Sequence, residues 1–177
     1  EVSMLSSDFH ANNLYLGYER TGVLLGEINR RSELMSRGRV LGRPYFISEW
    51  DLNWPDAWRC ENMLSTAALA AFQGWGGTTM YTYNHMYYWG GDLPIGVIYS
   101  DRVEFAAFND PARFGLFPHT ALIFRRGDVS PAQETVGIEI TQSTLLNSPT
   151  DPAVNLIPAL QNAPELHKRG LVFPGQT

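Results

Sequence analysis

The stretch from Pro44 to Asn84 constrains the fold most, because it spells a strand, a helix and a second strand joined by short connections. Pro44 opens a run, Tyr45 to Ile47, that is apolar on both faces and fits a strand buried in a parallel sheet. The loop SEWDLNWPD follows, and then a helix is expected from about Asp56 to Gln73, with Pro55 near its first turn and Gly74 just past its end. Cys60, Leu64, Ala67, Ala68, Ala71 and Trp75 recur at helical spacing, and the alanines let that face approach a sheet closely. Thr78 to Tyr83, rich in Thr and Tyr, reads as the second strand. Two strands linked by a helix in this way run parallel, with a right-handed crossover.

The flanks are read on the same rules. Leu24 to Arg39 predicts an amphipathic helix with a charged outer face, closed by Gly38 and Gly42. Asn84 to Asn109 is long and irregular, a length typical of functional or unstructured loops. Asp110 and Pro111 then give an N-cap and first-turn signal for a broken helix that Pro118 restarts or kinks and that ends at Arg125, Arg126 and Gly127. Beyond Val129 the pattern changes: Val136, Ile138 and Ile140 alternate with Glu139 and Thr141 as in a half-exposed strand. Residues 155–160 and 164–169 look like a short helix or turns. A boundary near Asp128 divides the chain into 1–128 and 129–177, and about fifty residues are few for an independent domain, so the second part is expected to pack on the first or to continue.

Composition narrows the function. A net charge of −5 leaves no basic stripe for a nucleic-acid backbone. One cysteine, Cys60, excludes an internal disulfide, and no apolar run approaches the length of a membrane span. His85, His119 and His167 lack paired metal-ligand spacing, and there is no P-loop, GxGxxG fingerprint or GxSxG elbow, so no metal or cofactor is expected. Aromatic residues make up 12% of the chain against 18% charged residues, which suits a pocket for a small polar ligand, although any single Phe or Trp is more often core.

Within this frame Glu49 is the best-placed carboxylate. It follows a buried strand and precedes a loop carrying Trp50, Trp54 and Trp58, and active sites of parallel α/β folds gather at the C-terminal ends of the strands. A carboxylate beside aromatic walls matches sugar hydrolysis, where a ring stacks its C–H face on an aromatic and an oxocarbenium-like transition state needs negative charge. A structural Glu paired with an Arg explains the residue equally well. Tyr81, Tyr83, Asn84 and His85 end the next strand, and Asp8, His10 and Tyr15 lie where an earlier strand on the same rim would end.

The run PYFISEWDLNWPDAWRCENMLSTAALAAFQGWGGTTMYTYNH resembles the last third of clan A glycoside hydrolases, and the resemblance extends over roughly residues 8 to 131, including FNDPARFGLFPHTALIFRRGDVSPA. Members of that clan are retaining (β/α)8-barrel enzymes, of the broad cellulase and β-galactosidase-like group. The resemblance implies that this chain is α/β, holding about strands 6 to 8 of a TIM barrel in 1–128 and the start of a β-containing accessory region in 129–177. It implies that Glu49 is the nucleophile at the end of the seventh strand, with Gln73, Gly74 and Trp75 in the following turn, and that His10 and Tyr15 lie near the end of the sixth.

The fourth strand of such barrels carries the acid/base Glu, and this sequence holds no counterpart; Asp8, Asp51, Asp92 and Glu104 have no motif support as substitutes. The expected function is therefore retaining hydrolysis of a β-glycosidic bond in an oligo- or polysaccharide, with Glu49 attacking and His10, Tyr15, Trp50, Trp54, Tyr83, Asn84, His85 and Trp89 shaping the subsites. The expected partner is the N-terminal remainder of the barrel, upstream in the same product or on a second chain, since the sequence starts at Glu1 without a Met or leader. Two rivals are a carbohydrate-binding protein that does not hydrolyse and an inactive barrel fragment that self-associates through its strand edges. Secretion suits a polysaccharide-degrading enzyme, and no segment decides it.

Overall fold

A computed structural model of the chain describes residues 10–16, 32–52, 59–83, 107, 110–143 and 163–175, with 10–16 described by backbone alone. In chain order the elements are β1 (His10–Leu16), helical residues 32–36 (α1), β2 (Tyr45–Leu52), α2 (Arg59–Gln73), β3 (Gly77–Met80), α3 (Pro111–Phe114), α4 (Phe117–Arg126), β4 (Thr135–Glu139), α5 (Ala163–Leu166) and β5 (Lys168–Val172). Strands β1, β2 and β3 form a three-stranded sheet in that order, both pairs parallel. The β-α-β unit is therefore present, and an earlier strand lies beside it where His10 and Tyr15 suggested one.

Strand β2 is longer than its apolar run. It continues through SEWDL to Leu52, so Glu49 lies inside the strand rather than at the mouth of a loop. The register explains how. Asn12 pairs with Ile47 and Asn13 with Glu49, which leaves Ser48 as an extra residue. An extra residue reverses the alternation of faces beyond it. Tyr45 and Ile47 before the bulge, and Trp50 after it, all enter one core with Met35, Met63, Leu69, Ala70 and Trp75. Phe46, Ser48 and Glu49 are only half-buried.

Helix α2 covers that core with a stripe that includes Ala67 and Ala71 of the expected face but is rotated away from Cys60 and Leu64. Its buried residues are Asn62, Met63, Thr66, Ala67, Leu69, Ala70, Ala71 and Gln73, while Leu64 is exposed and Cys60 half-buried. Two of the polar side chains in the buried stripe are satisfied by backbone groups: the Thr66 hydroxyl donates to the Asn62 carbonyl at 2.7 Å, and Gln73 bonds across to the later part of the chain. Trp75 is core, edge-on to Tyr45 with ring centroids 5.3 Å apart. Gly74 takes φ 65°, the left-handed conformation that ends the helix and that other residues adopt at a cost.

The Asp110–Pro111 signal starts α3 as expected. Asp110 is the N-cap, its Oδ1 accepting from Ala112 N at 3.1 Å. The helix breaks after Phe114 and restarts as α4 with Pro118 in its first turn, and Gly127 closes it at φ 68°. Strand β3 ends at Met80, three residues earlier than the Thr and Tyr run suggested, and the peptide bond between Tyr81 and Thr82 is cis.

The segment after Asp128 packs on the first part. β4 and β5 form a second, parallel two-stranded sheet, and β5 was hidden in the sequence by its charged start, Lys168 and Arg169. Leu171 exchanges backbone hydrogen bonds with Arg39 and Leu41, at 2.7 and 2.9 Å, and Val40, Ile138, Ile140, Leu171 and Phe173 make a second core. Gln73 joins the two parts. Fully buried, its Nε2 donates to the carbonyls of Pro164 and His167, both at 2.6 Å, while its Oε1 accepts from Arg169 N at 2.9 Å.

Candidate functional site

Glu49 stands on the central strand, half-buried, directly after the bulge at Ser48 and before three buried residues, Trp50, Asp51 and Leu52. A bulge next to a reactive side chain is a common device for aiming it. The neighbouring strand on one side brings Asn13 level with Glu49. On the other side, Thr79 donates its hydroxyl to the carbonyl of Ser48.

A buried ion pair fixes the end of β2, and a second, partly buried pair ties α2 to α3. Arg113 of α3 donates to Asp51 at 2.5 Å, with both side chains almost fully buried, and Asp51 Oδ1 also accepts from Leu52 N at 2.7 Å. Arg59, the first residue of α2, pairs with Asp110, the cap of α3. Burial pushes the Arg113 guanidinium below its usual pKa, against the opposing pull of Asp51 and Asp110, with Arg59 adding to the lowering. Asp51 is thus engaged by Arg113 and by the backbone, an arrangement for holding structure rather than for passing protons.

A cleft of about 240 Å³ opens along β3, lined by Thr78, Thr79, Met80, Tyr83, Ala107, Phe114 and Phe117. Tyr83 is 61% exposed there and lies against Phe114, ring centroids 5.6 Å apart. The lining is almost wholly apolar, and the Thr79 hydroxyl is engaged by the Ser48 carbonyl, so the cleft suits an apolar or C–H face of a ligand. Phe114 and Phe117 were missed because in the sequence they look like ordinary helix core.

Of the residues expected at the subsites, the structure brings Tyr83 to this cleft and Tyr15 level with Asp51 at the end of β1. One expectation is corrected, and a second residue is placed by its backbone alone. Trp50 is 3% exposed and belongs to the core, because the bulge turns it toward α2. His10 pairs with Tyr45 at the start of the sheet, four residues before Glu49 on β2, or roughly 13 Å at the rise of a strand. Trp54, Asn84, His85 and Trp89 lie outside the described residues, as do Asp8, Asp92 and Glu104. Among the described residues no group of His, Cys, Asp and Glu could hold a metal ion, and no helix is long and apolar enough to cross a membrane.

Comparison of the chain with protein-family models, with curated proteins and with solved structures finds no match.

Proposed function

We propose that this chain supplies the nucleophile strand of a retaining β-glycosidase built on a (β/α)8 barrel, in which Glu49 attacks the anomeric carbon. The observation that carries the reading is the setting of Glu49: a half-buried carboxylate on the central strand of a parallel sheet, re-aimed by a bulge and flanked by buried residues. Parallel strands joined by helices, with one face of the sheet against α2, support the barrel. The apolar, aromatic cleft along β3, the strand beside that of Glu49, is compatible with the C–H face of a sugar ring.

In a retaining mechanism two carboxyl groups about 5 to 5.5 Å apart divide the work. Glu49 forms the glycosyl ester as the leaving oxygen takes a proton from the second carboxyl, and water, deprotonated by that same group, then releases the sugar. The second carboxyl comes from outside this sequence. Tyr83, with His10, Tyr15, Trp54, Asn84, His85 and Trp89, remains a proposed subsite residue; Trp50, buried in the core, is left out of that role.

A 2-deoxy-2-fluoro glycosyl fluoride, which forms the ester but turns over slowly, tests the reading on the intact protein. Peptide mapping is expected to find the adduct on Glu49, and Glu49→Gln to lower kcat by roughly a thousandfold or more with folding unchanged. An adduct on another carboxylate would sink the assignment.

A further inference from the structure

We infer that Thr79 is a positioning residue for Glu49: its hydroxyl holds the bulge that decides where the Glu49 side chain lies. The hold on the bulge is independent of what Glu49 does, while its use in catalysis rests on the reading of Glu49 as nucleophile. The bulge shows in the register on both sides of β2. Against β1, Asn12 pairs with Ile47 and Asn13 with Glu49, so Ser48 is skipped. Against β3, Thr78 pairs with Ile47 and Met80 with Trp50, so the single residue Thr79 faces both Ser48 and Glu49.

One residue set against two cannot match them through its backbone, which has one N–H and one C=O to offer. Thr79 adds a donor. Its side-chain hydroxyl gives a hydrogen bond to the carbonyl of Ser48, the residue directly before Glu49. The bond crosses between the strands at the step where the pairing of β2 with β3 changes register. Beyond that step the Trp50 carbonyl accepts from Tyr81 N at 3.0 Å, so backbone bonding resumes. Ser48 and Glu49 thus lie between two buried anchors, Ile47 and Trp50, and Thr79 ties the middle. A slip of this segment by one residue turns Glu49 to the opposite face of the sheet. A Thr that served strand propensity alone could be replaced by Val, which shares its branched shape; a Thr that serves through its hydroxyl is replaced by Ser.

Two substitutions in the intact protein separate the hydroxyl from the shape. Thr79→Val keeps a branched side chain at this exposed strand position and removes the donor, whereas Thr79→Ser keeps the donor. Amide hydrogen exchange reads the segment directly. In Thr79→Val the amides of Ser48, Glu49 and Trp50 are expected to exchange about two- to tenfold faster than in wild type, the effect of one lost hydrogen bond on local opening. Tyr45 to Ile47 stay unchanged, and Thr79→Ser stays close to wild type. The fluoro-sugar reads the consequence for Glu49. Because Thr79 also lines the cleft, labelling is followed at saturating probe. Thr79→Val is then expected to label Glu49 on the order of ten- to a hundredfold more slowly, and Thr79→Ser to recover most of the rate.

Unchanged exchange from Ser48 to Trp50 in Thr79→Val overturns the inference, as does an unchanged labelling rate at Glu49 despite faster exchange; either result leaves the glycosidase reading intact. A Thr79→Ser variant as impaired as Thr79→Val also overturns it, since the methyl group rather than the hydroxyl then matters. If the wild type takes no label on Glu49, the glycosidase reading falls, and the exchange pattern by itself decides whether Thr79 holds the bulge.

Discussion

Gln73 shows how one side chain can hold two parts of a chain together. Its amide group serves Pro164, His167 and the backbone of Arg169, and Arg39 donates both to its side-chain oxygen, at 3.2 Å, and to its carbonyl, at 2.6 Å. Gln73→Leu keeps the volume but leaves these partners without theirs, and each buried group so stranded costs about 1 to 3 kcal/mol. The expected loss is about 3 kcal/mol or more, read as a lower urea midpoint. Arg169 is held in a related way, donating to the Glu33 carbonyl at 3.2 Å from a buried position that pushes its pKa down. Neither role is legible in the sequence: a Gln at a helix end and an Arg in a basic cluster look like surface residues, and only their partners, far away in the chain, make them core.

Among the elements, α2 is where periodicity alone misleads most instructively. Of the expected stripe Cys60, Leu64, Ala67, Ala68, Ala71 and Trp75, the residues Ala67, Ala71 and Trp75 are buried, whereas Leu64 is 37% exposed. The stripe that enters the core is set by Met63, Ala67 and Ala70 together with Asn62, Thr66 and Gln73, polar residues that a hydrophobicity pattern discounts. Two substitutions separate the phases by thermal or chemical denaturation. Ala70→Leu, at a fully buried position, is expected to cost about 1 to 3 kcal/mol by overpacking, whereas Leu64→Ala changes stability by no more than about 0.5 kcal/mol.

The caps were far more legible than the faces. Asp110, Pro111, Pro118, Gly74 and Gly127 act through local backbone chemistry, and each ends or starts a helix where its type implies. Bulges leave no such mark. Nothing in FISEW announces that Ser48 is the extra residue, so Glu49 is recognisable as a candidate while Trp50, expected in a loop, lies in the strand and faces the core.

Taken whole, the described chain has two sheets and two cores that share a seam at residues 39–41, Gln73 and Leu171. The division near Asp128 marks a change of pattern in the sequence, and the seam crosses it. Because Leu171 is 1% exposed and sits in the second core, Leu171→Ala is expected to cost about 2 to 5 kcal/mol. If the two cores unfold together, near-ultraviolet signals from Trp50 and Trp75 in the first core will fall in the same transition as the loss of the second. Separate transitions would make the segment after Asp128 an independent unit.

The seam also sets an order of assembly. Glu33 meets Arg169, and Ser32 meets Glu165, across spans of 136 and 133 residues, so the earliest helical residues of the description wait for the latest. Contacts of such long range close slowly, and a chain emerging from the ribosome can form its helices well before it can close this joint. Until Lys168 to Val172 arrives, Gln73 and the edge at Val40 stand open to other strands. The interval in which this protein is most exposed to mispairing is therefore fixed by where β5 lies in the chain, late, and beside a segment made long before it.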